Sequence, residues 1–269
     1  MSIKQINAAP ELEQLPTEHG MRFYKTHTGL KFPSVTTILG VINKPALVPW
    51  AAKVERELMM ASVYRVYDEM MLNMAEPFDS DSFMEAVVEE AGREKGYQTQ
   101  LRRAGNIGTN VHNRIDWDFR HELGKDNESK RPLLLTTPEA KRAYDRFLEW
   151  RTSATFKVLA TERRVVSFGG QYAGTLDTII KFGSKVGVLD FKTGKRVYFE
   201  AFLQNCAYRM ALAEEGIKTD TGWIILLPKE RDDQAFEVVE VPPLSDLIST
   251  WQGAVILYRG IHAAQEGKN

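Results

Sequence analysis

The spacing of apolar residues changes character near Thr155. Before it, apolar positions recur at helical intervals over roughly residues 45 to 152, and the spacing predicts one helix from about Ala104 to Glu122 and another from Pro138 to Arg151. After it come three runs rich in β-branched and aromatic residues, FKVLATERRVVSF, YAGTLDTIIKF and KVGVLDFKT, with turns expected at Gly169-Gly170 and Gly183-Ser184. These predict an antiparallel meander. Phe199, Leu203, Cys206, Met210 and Ala213 then mark one face of a helix that Gly216 can close. The strands GWIILLP and AFEVVEV follow, and a last helix aligns Leu244, Leu247, Ile248, Trp251, Val255, Tyr258 and Ile261 in one stripe. Near the start, MRFYKTHTGLKFP predicts a hairpin turning at Thr28-Gly29, and PSVTTIL opens a helix with Ser or Thr at its cap. The first twenty residues hold two prolines and little periodicity, so they read as a flexible arm. The expected class is α+β, with a mixed sheet flanked by helices. Residues 21 to 269 are expected to form one domain, a helical wall over about 45–152 and a core over about 153–269.

A chain of 269 residues is long enough to bury a sizeable core. Its 35 basic and 36 acidic residues nearly cancel, so a nucleic acid would have to be held by a local patch rather than by a global field. Cys206 is the only cysteine, which excludes an internal disulfide framework and a cysteine-ligated zinc or iron–sulfur centre within one chain. No apolar run is long enough to span a bilayer and the start lacks a signal-peptide core, so a soluble protein of the cytoplasm is expected.

Candidate chemistry gathers in the middle strands. In VGVLDFKTGK, alternation puts Asp190 and Lys192 on one face of a strand. Asp177, in GTLDTII, lies on the strand before, and a hairpin through Phe182-Gly183-Ser184 brings the two carboxylates side by side. Two neighbouring aspartates repel unless a cation lies between them, and hard oxygen donors suit Mg2+ or Mn2+. A lysine beside them suits a group that orients a water and offsets charge as a phosphodiester is attacked. An exposed cross-strand ion pair is the plainer reading of D-x-K, but both aspartates interrupt apolar strands where burial is costly.

The series G-T-x-D, then L-D-F-K-T-G-K, then a helix with Q-x-x-x-Y resembles the RecB-type branch of the PD-(D/E)XK nucleases, Asp177, Asp190, Lys192, Gln204 and Tyr208 matching by position. GNIGTNVH supplies Gly105, Gly108 and His112 in the order that branch places upstream. FPSVTTIL and WIILLPKERD extend the likeness to the mitochondrial genome maintenance exonuclease subgroup, over roughly residues 32 to 260. The resemblance implies a restriction-endonuclease-like core and a metal-dependent exonuclease preferring single-stranded DNA. Alternatives are a structure-specific endonuclease on the same fold and a non-catalytic DNA-binding protein. It further implies that His112, Asp177, Asp190 and the carbonyl of Phe191 hold the metal, the imidazole favouring manganese, and that Lys192 positions the attacking water. Gln204 would reach the lysine or the DNA, and Tyr208 would brace the site. The cysteines of cluster-bearing relatives are missing, so no iron–sulfur cluster is implied. The family's opening proline is replaced by Leu176.

Other residues have two readings each. Asp116, a turn beyond His112, either orients the imidazole or is solvated, and solvation is favoured. Glu162 is a further acid, with a salt bridge to Arg163 or Arg164 the simpler role. Ser34, Thr36 and Thr37 suit phosphate binding at a helix start and equally suit capping. Arg93, Lys95, Arg102 and Arg103, with Tyr97 among them, suit DNA contact or a solvated helix face, and Lys229 and Arg231 share that ambiguity.

Overall fold

The structure, a computed structural model, describes residues 6–72, 79–92, 96–125, 131–132, 134–231 and 233–266. Its elements run β1 (Leu12–Gln14), β2 (Phe23–Thr26), β3 (Lys31–Pro33), α1 (Val35–Leu39), α2 (Leu47–Leu72), α3 (Ser80–Gly92), α4 (Gly96–Glu122), α5 (Pro138–Ser153), β4 (Lys157–Ser167), β5 (Tyr172–Phe182), β6 (Lys185–Lys192), α6 (Phe199–Glu214), β7 (Thr221–Leu226), β8 (Glu237–Glu240) and α7 (Leu244–Glu266). The class is α+β. A three-stranded antiparallel sheet has the order β1-β2-β3, and a five-stranded mixed sheet has the order β4-β5-β6-β7-β8. Only the β6–β7 pair of the larger sheet is parallel, because α6 lies between the two strands in sequence and carries the chain back. No described helix is long and apolar enough to cross a membrane.

The chain divides into two compact units where one domain after residue 20 was expected: Met1–Ile42 with Ile107–Asn269, and Asn43–Asn106. The smaller unit contains α2, α3 and the first turns of α4. Val54, Ser62, Val66 and Val87 are buried within it, Glu55 accepts a hydrogen bond from Tyr97 N at 3.0 Å, and Arg65 pairs with Glu90 at 3.1 Å.

In the larger unit, neighbouring residues of the central strands enter opposite clusters. Val188, Ile179 and Ile224 join the side chains of α1, α6 and α7, whereas Leu189, Ile180 and Ile225 join those of α4 and α5. The sheet is therefore covered on both faces, which is why its strands read as unbroken apolar runs rather than as an alternation. On α7 the expected stripe is buried at Leu247, Trp251, Val255 and Tyr258, but Ile261 is 39% exposed.

The first twenty residues depart from a flexible arm. Ile6 and Leu12 are buried, and β1 pairs with β2 from Leu12↔Thr26 to Gln14↔Tyr24. A three-residue strand is too short to show periodicity, and side chains far along the sequence hold this segment. Arg163, 3% exposed, donates to Ile6 O at 2.6 Å, Ala8 O at 3.0 Å and Glu215 Oε2 at 2.7 Å, while Arg164 donates to Leu12 O. Arg163→Ala is expected to lower unfolding stability by about 3 kcal/mol, since it leaves the buried Ile6 carbonyl and the part-buried Glu215 carboxylate without their donor. Chemical denaturation checks this, and a loss below about 0.5 kcal/mol, ordinary for a surface change, would show that the clamp contributes nothing.

Candidate active site

Backbone pairing between β5 and β6 ends at Thr178↔Leu189. Beyond that point the strands part, and the Asp177 side chain takes over the linkage, its Oδ2 accepting the Phe191 N–H at 2.8 Å. Asp177 thus sits in a fork of the sheet, one residue past the last pair, with Asp190 leading the other prong. Hairpin register accounts for their being neighbours; the fork itself leaves no trace in hydrophobic patterning.

Asp190 is 1% exposed. Lys192 Nζ donates to its Oδ1 at 3.0 Å and lies 2.8 Å from Oδ2, but that second contact is not directed as a hydrogen bond, so Oδ2 is a buried acceptor without a donor. The same ammonium donates to Gln204 Oε1 at 2.9 Å, and Gln204 Nε2 donates to the Tyr208 hydroxyl at 3.0 Å. The ammonium, which can only donate, fixes which end of the amide faces it, and the Tyr208 hydroxyl accepts from the other end. α6 approaches β5 closely enough for this because residue 174 has no side chain: a Cβ on Gly174 would lie 2.6 Å from Tyr208 Cε1.

His112 reaches Asp177 from α4, with Nδ1 3.4 Å from Oδ2. Gly108, one turn earlier, lets the helix come near the loop after β6, where a Cβ would meet Thr193 Oγ1 at 3.3 Å. Asp116 is not merely solvated. It accepts from Arg120 Nε at 2.6 Å and from Thr161 Oγ1 at 2.8 Å, tying α4 to β4 one residue before Glu162.

Glu162 stands across from Asp177, between the pairs Thr161↔Thr178 and Arg163↔Leu176, and its φ of 44° lies in the left-handed region that disfavours a non-glycine residue. Its sequence neighbours do not neutralise it, because Arg163 and Arg164 turn to the N-terminal carbonyls. A spacing of one or two residues along a strand says nothing of a positive φ that reorients one of them. Glu162 therefore belongs with the site acids, and the simple salt bridge expected from sequence is replaced by this placement.

The electrostatics are those of mutually perturbing groups. Burial, then the charges of Asp177 and Asp116, push the Glu162 carboxyl up to about 8. Burial raises Asp190 and Lys192 pulls it back, with Asp177 adding to the rise, for a value of about 6. Burial also acts to raise Asp177, but His112, Lys192 and the Phe191 N–H together outweigh it and hold this carboxyl below its ordinary value. Burial acts to lower His112 and Lys192, yet the carboxylates facing them leave both raised.

Whether these side chains suit a divalent cation rests on donor chemistry. Asp177, Asp190 and Glu162 offer carboxylate oxygens, His112 an imidazole nitrogen, and Asp190 Oδ2 is buried with no hydrogen-bond donor, a combination that fits a hard cation. Among the described residues no three His, Cys, Asp or Glu side chains gather as a ready-made metal group, and Lys192 and His112 lie against Asp190 and Asp177 respectively.

Ser34, Thr36, Thr37, Lys229 and Arg231 have other occupations. Ser34 Oγ caps α1 by accepting Thr37 N at 3.0 Å and is linked to Thr36 and Thr37 hydroxyls at 2.9 Å, while Thr37 Oγ1 donates to Arg22 O. Of the two sequence readings, capping describes this network. Lys229 is 9% exposed with Glu230 and Glu139 near it, so it is not a presented surface cation, and Arg231 pairs with Asp233. Arg102 and Arg103 are exposed in the smaller unit, and Arg93 and Lys95 lie outside the described residues.

No protein-family model matches the chain, and no curated protein matches it.

Proposed function

We propose that this chain is a metal-dependent deoxyribonuclease with a PD-(D/E)XK core, acting as an exonuclease on single-stranded DNA with a free end. The observation that supports this best is the fork itself: Asp177 bridging to the Phe191 backbone, Asp190 buried one strand over with a carboxylate oxygen lacking a donor, and Lys192 beside it. A purely structural ion pair has no need of a second buried carboxylate and an imidazole at the same point. The preference for single strands, and Mg2+ or Mn2+ as the cation, rest on the sequence resemblance and the oxygen-rich donor set.

In this reading His112, Asp177, Asp190 and the Phe191 carbonyl would hold the cation, whose charge would draw the Glu162 carboxyl, raised to about 8 by burial and its acidic neighbours, toward its ionised form. When bound, the cation supplies charge to the phosphate oxygens and acidity to a water. Lys192, its ammonium directed by Asp190 and Gln204, orients the attacking water and offsets the charge that develops on phosphorus-bound oxygen. Water oxygen bonds to phosphorus as the bond to the 3′ oxygen breaks; one water proton ends on that 3′ hydroxyl, leaving a 5′ phosphate on the other product. Tyr208 anchors the far end of the Gln204 amide, whose oxygen accepts from Lys192.

Linear single-stranded DNA should be shortened progressively in magnesium or manganese, while a covalently closed single-stranded circle of the same sequence resists. Rapid cutting of the circle would replace the exonuclease by an endonuclease on the same fold. Binding of both DNAs with cleavage of neither, under both metals, would point to a DNA-binding protein without activity.

A further inference from the structure

A second concave surface lies away from the fork, where the β2–β3 hairpin meets α7. Its cavity of about 280 Å³ is lined by Phe32 and Ile38 on one side and by Val255 and Tyr258 on the other, with Lys31 and Arg259 at the margin. Two large apolar side chains stand exposed at or near this hairpin: Leu30, 52% exposed, lines the cavity, and Phe168, 56% exposed, packs edge-on against Phe32 with ring centroids 5.8 Å apart. Neither has a core position to fill. Exposed apolar groups beside a concave apolar floor mark a place where another apolar group can be covered.

The charges at the margin define what that group is attached to. Arg259 donates to Gly170 O at 2.8 Å, a carbonyl that does not neutralise it. Lys31 lies over the Phe23 ring at 4.3 Å, which leaves its charge in place, and has Glu18 at 3.7 Å, with both side chains close to half exposed or more, a weak pair that a better-placed carboxylate displaces. A floor the size of one or two side chains, with two under-compensated cations at its edge, matches an anionic chain carrying a single bulky apolar anchor. Exposed Lys25, the cross-strand partner of Lys31, extends the positive margin, but a polynucleotide would call for cations running along a groove rather than gathered beside one apolar floor, and a membrane surface for a broader apolar face.

We propose that this groove docks an acidic peptide segment of a partner protein, one aromatic or large aliphatic side chain entering between Phe32 and Val255 while flanking carboxylates meet Lys31 and Arg259. Such a contact would tether the protein to a partner without entering its candidate active site.

A short fluorescent peptide with one phenylalanine flanked by aspartates is the probe, titrated into the full chain and read by anisotropy. Saturable binding is expected. Lys31→Glu combined with Arg259→Glu should weaken it at least about tenfold, as should replacing the peptide's phenylalanine with alanine. Both substituted positions are exposed, so thermal unfolding should be nearly unchanged in the double variant. Asp177→Asn should bind the peptide as wild type does, and this holds whether or not the fork is a nuclease site. Absence of saturation, or equal binding by the charge-reversed variant, overturns the proposal. So does a result in which anionic vesicles or an oligonucleotide, and not the peptide, compete for a surface sensitive to the same two substitutions.

Discussion

The Asp190→Asn protein is expected to lose DNA cleavage by at least about a thousandfold while keeping its fold and its affinity for DNA. Asparagine is nearly isosteric with aspartate and can still accept from Lys192, so the 1%-exposed position is not left with a cavity. What it removes is the anionic oxygen on which the cation and the lysine both depend. Binding measured in calcium or without metal should be retained or strengthened, because a negative charge near the phosphate has gone. Asp177→Asn should behave similarly in cleavage, with an added cost to the sheet if its amide fails to accept the Phe191 N–H as the carboxylate does. Cleavage by both variants within about tenfold of wild type would remove the nuclease reading.

Lys192→Ala is expected to slow the chemical step by about two orders of magnitude or more and to leave metal affinity largely intact. The ammonium touches Asp190 and Gln204, and the Lys192 side chain is 31% exposed, so a phosphate or a water can approach it. Alanine also strands the buried Asp190 carboxylate, so a loss of stability accompanies the kinetic effect. Lys192→Arg separates the two, since it keeps a cation for Asp190 but cannot place it as the ammonium does. Single-turnover rates measured with stability-matched samples decide the matter. A rate for Lys192→Ala near wild type would show that the lysine serves only as an ion-pair partner.

The residues of the fork were legible in the sequence to the extent that strand alternation and hairpin register determine neighbours. Asp190 and Lys192 do share an ion pair, Gln204 and Tyr208 do form a chain one helical turn apart, and Lys192 is the group Gln204 reaches. Patterning could not show that β5 and β6 separate after Thr178↔Leu189, because separation changes backbone pairing without changing residue type. Nor could it place Glu162, whose orientation follows from a positive φ and from long-range demands on Arg163. Asp116 was misjudged for a similar reason: its partner Thr161 is 45 residues away. The N-terminal strand was missed because three residues carry no period, and the buried Lys229 because a charged loop residue gives no sign of what folds over it. Errors of this kind share a cause, in that contacts between residues distant in sequence override local signals.

The central claim, that the fork hydrolyses DNA with a divalent cation, is tested most directly by incubating the wild-type chain with end-labelled linear single-stranded DNA in magnesium or manganese and in a chelator. Cleavage in either metal, its loss in the chelator and its return when metal is restored are predicted, with 5′ phosphates on the products. Cleavage undiminished by the chelator, or intact DNA under every divalent metal tried, would contradict it.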